Sequence, residues 1–335
     1  MRRSALSCSR CGRAEPCLRE LSGETPPLKL PRDIRRLELV MSERRAYLLL
    51  LAVVLFWAGN FPLGKLALEE LGPLTLTAGR AVIAAPVLVL VARLTAPLAQ
   101  PLVRRDYLAF LVLGLTGLVG NTTLWFWGLK HTTALNAGII GASSPLFVAV
   151  PAAVLLGDRL SARNWLGIGL TVAAVLVTIA KGSLDVLLTF SVNRGDLIIL
   201  ASQLFWVTYS LYSRAAASAL PPVWMMAGAH VVSAIVLIPL ASAVEPWRAP
   251  QAAPLGWAVV LYGAVLVTLA HIWYYAVVRA IGPGRATGFL NLMPFVVIGL
   301  AWLIVGEAVH AYHLIGAAMV IAGVFLVTRP ARGGR

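Results

Sequence analysis

Residues Phe56–Lys65, FWAGNFPLGK, end a long apolar run by setting aromatics beside an asparagine, a proline and a lysine. The stretch returns as FWVTYSLYSR at Phe205–Arg214, a displacement of 149 residues (205 minus 56). The same displacement carries Pro73 to Pro222, Pro145 to Pro294, Gly157–Asp158 to Gly306–Glu307 and Gly167 to Gly316, while Trp125 reaches Trp273 at 148. Each match is weak alone, but landmarks sharing one register read as a single unit written twice.

The medium in which that unit folds follows from composition. The 335 residues are 59% hydrophobic and 13% charged, with mean hydropathy +0.83, whereas soluble domains carry about 25% charged residues. Long runs almost free of charge are the signature of membrane helices. A net charge of +14 raises the question of nucleic acid, but the basic residues stand singly between apolar runs. They read as orientation signals rather than a phosphate-binding face, and no nucleic-acid partner is expected. Cys8, Cys11 and Cys17 are one ligand short of a four-coordinate zinc site. His310 and His313 have no third ligand besides distant Glu307, so they read as loop histidines and no metal site is expected. No phosphate-cradling G-x-x-x-x-G-K-[ST] loop is present, which disfavours ATP-driven transport, and no cofactor is implied.

Residues 1–45 hold eleven Lys/Arg, six Asp/Glu and four prolines, without the periodicity that packing needs, and read as a disordered tail. Met41 opens MSERRAYLLLLAVVLF, the form of a natural start, so the first forty residues are expected to derive from an upstream start. Two repeats follow, over 46–180 and 195–328. Spans are expected near 46–65, 73–93, 107–129, 134–156, 162–180, 195–214, 222–243, 254–278, 286–305 and 311–328, each about 18–25 residues and long enough to cross a bilayer as a helix. Unbroken apolar runs exclude a barrel's alternation. Asp106, Ser161 and Gly195–Asp196 supply helix-start chemistry ahead of their spans.

With the N-terminus inside, thirteen Lys/Arg fall on the inner side and five on the outer, Arg80 being set aside as intramembrane. That places both termini in the cytoplasm of a multi-pass inner-membrane protein. Five spans per repeat is an odd number, so the halves cross the bilayer in opposite senses. The fold class expected is an all-α integral membrane protein, ten transmembrane helices in an inverted five-plus-five repeat.

Polar groups inside the spans point to function, because an unpaired polar group in hydrocarbon costs several kcal/mol and turns toward partners or a wet cavity. Arg80 lies seven residues past Pro73; register places Ala229 at its counterpart, with His230 adjacent. The functional reading gives Arg80 an anion in the pathway, the plainer one a backbone-bound or snorkelling arginine. His271 relays protons, binds solute or joins helices. Asn60, Asn121, Gln203, Tyr209 and Asn291 present hydrogen-bond groups to a solute or to neighbouring helices, and Trp57 and Trp206 line a cavity or pack. Pro145 and Pro294 read as hinges in broken helices, or as plain kinks. Carboxylates stand near span ends, which disfavours a proton-driven exporter of cationic drugs, and Asp158 and Glu307 read as interface and loop charges.

Taken in order, W-x-x-N-F at Trp57–Phe61 with Lys65, Pro73 with Arg80, the run from Trp125 to Thr133–Ala134, and two proline-centred spans each ending in glycine and an acid make the chain resemble the EamA-type permeases of the drug/metabolite transporter superfamily over residues 44–330. The resemblance implies two five-helix bundles around a central cavity formed mainly by spans 1–4 and 6–9. It also implies alternating-access export of a small polar metabolite, often an amino acid or related compound. The substrate-binding set expected is Trp57, Asn60, Arg80, Asn121, Gln203, Trp206, His271 and Asn291, with Arg80 on an anionic group and no catalytic residue. Partners are then a small-molecule solute and the lipid bilayer, with a homodimer left open. The alternative, a membrane-embedded enzyme acting on lipid or lipid-linked substrates, needs surface acids or a nucleophile that these short loops do not supply.

Overall fold

The computed structural model describes residues 42–328 apart from 158–159, 184, 187–188, 190–191 and 216–219. The tail with its cysteines, Asp158, Arg159 and the C-terminal arginines lie outside the described residues. From Glu43 onward the described elements are helices: α1 Glu43–Glu70, α2 Pro73–Thr95, α3 Arg104–His131, α4 Ala134–Ala142, α5 Ser144–Leu156, α6 Ala162–Ile179, α7 Arg194–Ala215, α8 Pro222–Val244, α9 Pro254–Ile281, α10 Pro283–Leu290, α11 Met293–Val305 and α12 Ala311–Thr328.

Local chemistry starts them. Proline occupies the first turn of α2, α8, α9 and α10, where its missing N–H would have had no partner. The Thr133 and Ser161 hydroxyls accept from the amides of Asn136 and Asn164 at α4 and α6. Asp106 and Asp196 sit within the first turns of α3 and α7 rather than ahead of them; Asp106 reaches back to the Val103 amide at 2.9 Å.

Among the described residues, eight helical stretches are long and apolar enough to cross a membrane. Of the other two expected spans, α7 is helical over 22 residues and the apolar part of α12 runs Ala311–Val327. Large leucines such as Leu90, Leu94, Leu155 and Leu303 remain exposed, as side chains facing acyl tails would. The core instead joins Phe61, Leu76, Phe126, Ile139, Ile199 and Val297, drawn from both repeats.

The 149-residue register recurs in the backbone. α3 is π-helical over Gly114–Thr122 and α9 over Gly263–Val267, starting at matched glycines. Helices break just before Pro145, at Ser143, and just before Pro294, at Asn291–Leu292. Gly157 and Gly306 end α5 and α11 in the left-handed conformation. Packing follows the same exchange: α2 lies on α8 and α6 on α12, while α1 against α9 and α11 is matched by α7 against α3 and α5.

Candidate functional site

The π segments bring the site together. One extra residue per turn re-aims side chains and leaves i→i−4 carbonyls to other donors; Thr122, Thr123 and Thr268 each turn a hydroxyl back to the carbonyl five residues earlier. Between α2, α3, α7, α8 and α9 lies a cavity of about 150 Å³. Thr77, Arg80, Asn121, Trp206, Tyr209, His230, His271 and Tyr275 line it, and none of its lining residues is an aspartate or glutamate.

Arg80 carries the charge. Its Nη1 donates to Asn60 Oδ1 at 2.9 Å, and its Cζ stands 5.3 Å from the centre of the Phe126 ring. No carboxylate pairs with it among the described residues. Its side chain lies against Gly263, where an added Cβ would stand 2.1 Å from Nε. Only glycine lets the guanidinium pass the π segment.

Two histidines flank this charge. His271 Nδ1 lies 2.7 Å from the Val267 carbonyl and His230 Nδ1 lies 2.8 Å from that of Met226. A carbonyl accepts only, so both Nδ1 atoms carry a proton, and Nε2 is the ring atom left to face other partners. Trp206 stacks on Tyr209 at 5.3 Å, and Asn121 Nδ2 donates to the Ser202 carbonyl, leaving its Oδ1 for another donor. The result is a small chamber with one fixed cation, aromatic walls and several hydrogen-bond groups.

Of the residues singled out from sequence, Arg80, Asn121, Trp206, Tyr209, His230 and His271 line this cavity. Asn60 is joined to it through Arg80. Trp57 stands behind it, its ring 4.7 Å from His271 and 5.4 Å from Tyr274. Gln203 is buried and accepts from the Ser144 hydroxyl at 2.7 Å, tying α7 to the break before Pro145. Asn291 lies at the break between α10 and α11 and does not line the cavity. Sequence reading missed Tyr262, which donates to the Phe56 carbonyl at 2.7 Å across the repeats, and gave no weight to Thr77 or Tyr275. His313 is corrected: it is buried in the first turn of α12, its Nδ1 accepting from the His310 amide at 3.0 Å, not free in a loop. Among the described residues no cluster suits a metal ion.

The profile of the EamA-like transporter family matches twice, over residues 44–180 and 193–329. The chain belongs to that family. It is a multi-pass membrane transporter of the drug/metabolite type. It is similar to the uncharacterized transporter YyaM of Bacillus subtilis (strain 168), 28% identical over 286 residues that cover 85% of this chain and 93% of that one. It is also similar to a "Probable terminal-alkyne amino-acid exporter" of Streptantibioticus cattleyicolor, 26% identical over 298 residues covering 88% and 97%. A crystal structure shares the fold, with TM-score 0.59 and 21% identity over 85% of this chain and 96% of that one.

Proposed function

We propose that this EamA-family chain is a secondary transporter that exports a small polar metabolite, such as an amino acid or related compound, holding the solute's carboxylate at Arg80. The observation that carries this is a guanidinium lining a chamber that no lining carboxylate neutralises. An arginine at the centre of a membrane helix costs about 2.5–3.5 kcal/mol. The Asn60 carbonyl and the Phe126 ring offset part of that cost, and an anionic solute completes the compensation. A chamber of about 150 Å³ matches one known to admit a ligand of benzene's size, so the solute is small. The relative named for amino-acid export adds support.

The cycle proposed is alternating access between ten spans in an inverted five-plus-five arrangement, with the arginine-rich ends and both termini in the cytoplasm and the protein in the inner membrane. The exchange of packing partners between the halves supports it, since two inverted copies that rock about one site would pair in this way.

A thermal-shift screen of the purified protein against amino acids, organic acids, sugars and nucleosides tests the reading. Stabilisation is expected from a carboxylate-bearing solute and not from its methyl ester, approaching about 2.7 kcal/mol at a hundredfold excess over Kd. Stabilisation by sugars or nucleosides alone, or equally by acid and ester, would remove the anion from the argument.

A further inference from the structure

At one end of the bundle, three carboxylates of α1, of the turn after α8 and of the turn after α11 sit on the first-turn amides of helices in the opposite repeat. Glu70 accepts from the Gly256 amide of α9 at 2.6 Å. Glu245 accepts from Leu74 and Thr75 of α2 at 2.9 and 2.8 Å. Glu307 accepts from Ala134 and Leu135 of α4 at 2.7 and 3.0 Å. Anions are favoured at helix N-termini, where the dipole and unpaired N–H groups coincide. Gly72 makes room for one of them, since a Cβ there would lie 2.1 Å from the Glu245 carboxyl carbon.

Among the described residues, the opposite end shows no carboxylate on first-turn amides of the other repeat. In the repeat register Glu70 corresponds to Ala219, Glu245 to Ala96 and Glu307 to Asp158, of which Ala219 and Asp158 lie outside the described residues. At Ala96 the counterpart contact is a neutral one, its carbonyl accepting from Trp224 Nε1 at 2.7 Å. Glu70, Glu245 and Arg248 also line a hollow of about 380 Å³. A cycle that opens this end has to part the repeats here and release five charge-assisted contacts (one, two and two).

We propose that Glu70, Glu245 and Glu307 are the gate of the transport pathway at this end, latching it shut by capping helices of the opposite repeat. The proposal rests on the transporter reading above, and its test needs no solute, so the two fail separately. Leu118, which lines the central cavity, is made the reporter as Leu118→Cys, with Cys8, Cys11 and Cys17 replaced by serine. Arg248→Cys in a parallel chain marks the side on which the latch lies. Vesicles of both orientations are treated with a membrane-impermeant maleimide. Glu245→Gln with Glu307→Gln removes both charges and half of the acceptors, and is expected to speed labelling of Leu118→Cys from the Arg248 side about tenfold or more. The exposed neighbour Glu69→Gln is expected to leave the rate alone. Gly72→Ala keeps all three acids but displaces Glu245, and is expected to act in the same direction, which covers the case in which the double variant fails to accumulate. Rates in the latch variants equal to those of Glu69→Gln would overturn the proposal, even if a solute had been found. Faster labelling without any stabilising solute would keep the latch and sink the substrate reading.

Discussion

Arg80→Ala is expected to abolish solute-induced stabilisation while leaving the bundle folded. Removing the guanidinium leaves Asn60 Oδ1 without its donor and Phe126 without its cation, losses of about 1 kcal/mol each. Against this, the desolvation cost of the charge disappears, about 2.5–3.5 kcal/mol at mid-membrane. The two sides nearly cancel, so the unfolding midpoint without solute moves little. Binding has no such offset. Charge-assisted contacts to a carboxylate contribute roughly 1.5–3 kcal/mol each, and a forked guanidinium makes two. Affinity is therefore expected to fall about a hundredfold or more. Arg80→Lys keeps the charge but lacks the fork that serves Asn60 and a carboxylate together, so it is expected to recover only about a tenfold part of the loss. Asn60→Ala, which frees the guanidinium to wander, is expected between wild type and Arg80→Lys. Calorimetric titration of the stabilising solute reads all three. An Arg80→Ala protein that bound with wild-type affinity would reduce Arg80 to a helix-joining residue and move the site elsewhere.

The parts of this molecule that repeat were legible in the chain, because duplication writes a structural device twice. The prolines at 145 and 294 and the glycines at 157 and 306 coincide with helix breaks and left-handed ends in both halves. Intramembrane Arg80 stood out because charge is costly there, and it does line the chamber, as do Asn121, Trp206 and His271. The π segments left no comparable mark. A single extra residue per turn inside an apolar run does not alter hydropathy, although the matched glycines at 114 and 263 begin both segments. Long-range polar ties were equally hidden. Glu245 meets α2 from 171 residues away, and periodicity along one helix says nothing about which helix end faces a distant carboxylate. Asp196 shows the same limit: its place near a helix start is plain in sequence, but its burial under the Thr132 hydroxyl and Asn136 amide depends on how α7 meets α3 and α4.

Gly263→Ala is expected to silence the chamber without touching its charge. The new Cβ would stand 2.1 Å from Arg80 Nε and 2.5 Å from its Cζ, distances no pair of atoms tolerates. The obstructed atoms belong to the tip of a flexible side chain, so the arginine swings away and the backbone stays. What is lost is the placement over Phe126 and beside Asn60, and with it the geometry that meets a carboxylate. Solute affinity is expected to fall by at least about tenfold. The repeat counterpart behaves differently. At Gly114 a Cβ would meet the Ala229 carbonyl oxygen at 2.8 Å and Val232 Cβ at 2.9 Å, and backbone cannot swing aside. Gly114→Ala is therefore expected to lower stability by about 1–3 kcal/mol, the usual cost of overpacking, and to weaken binding less. A double-mutant cycle separates steric displacement from general damage. If Gly263→Ala acts through Arg80, adding it to Arg80→Ala costs no further affinity, because interacting residues are not additive. Fully additive losses would mean that the α9 π segment serves the solute by a route independent of Arg80.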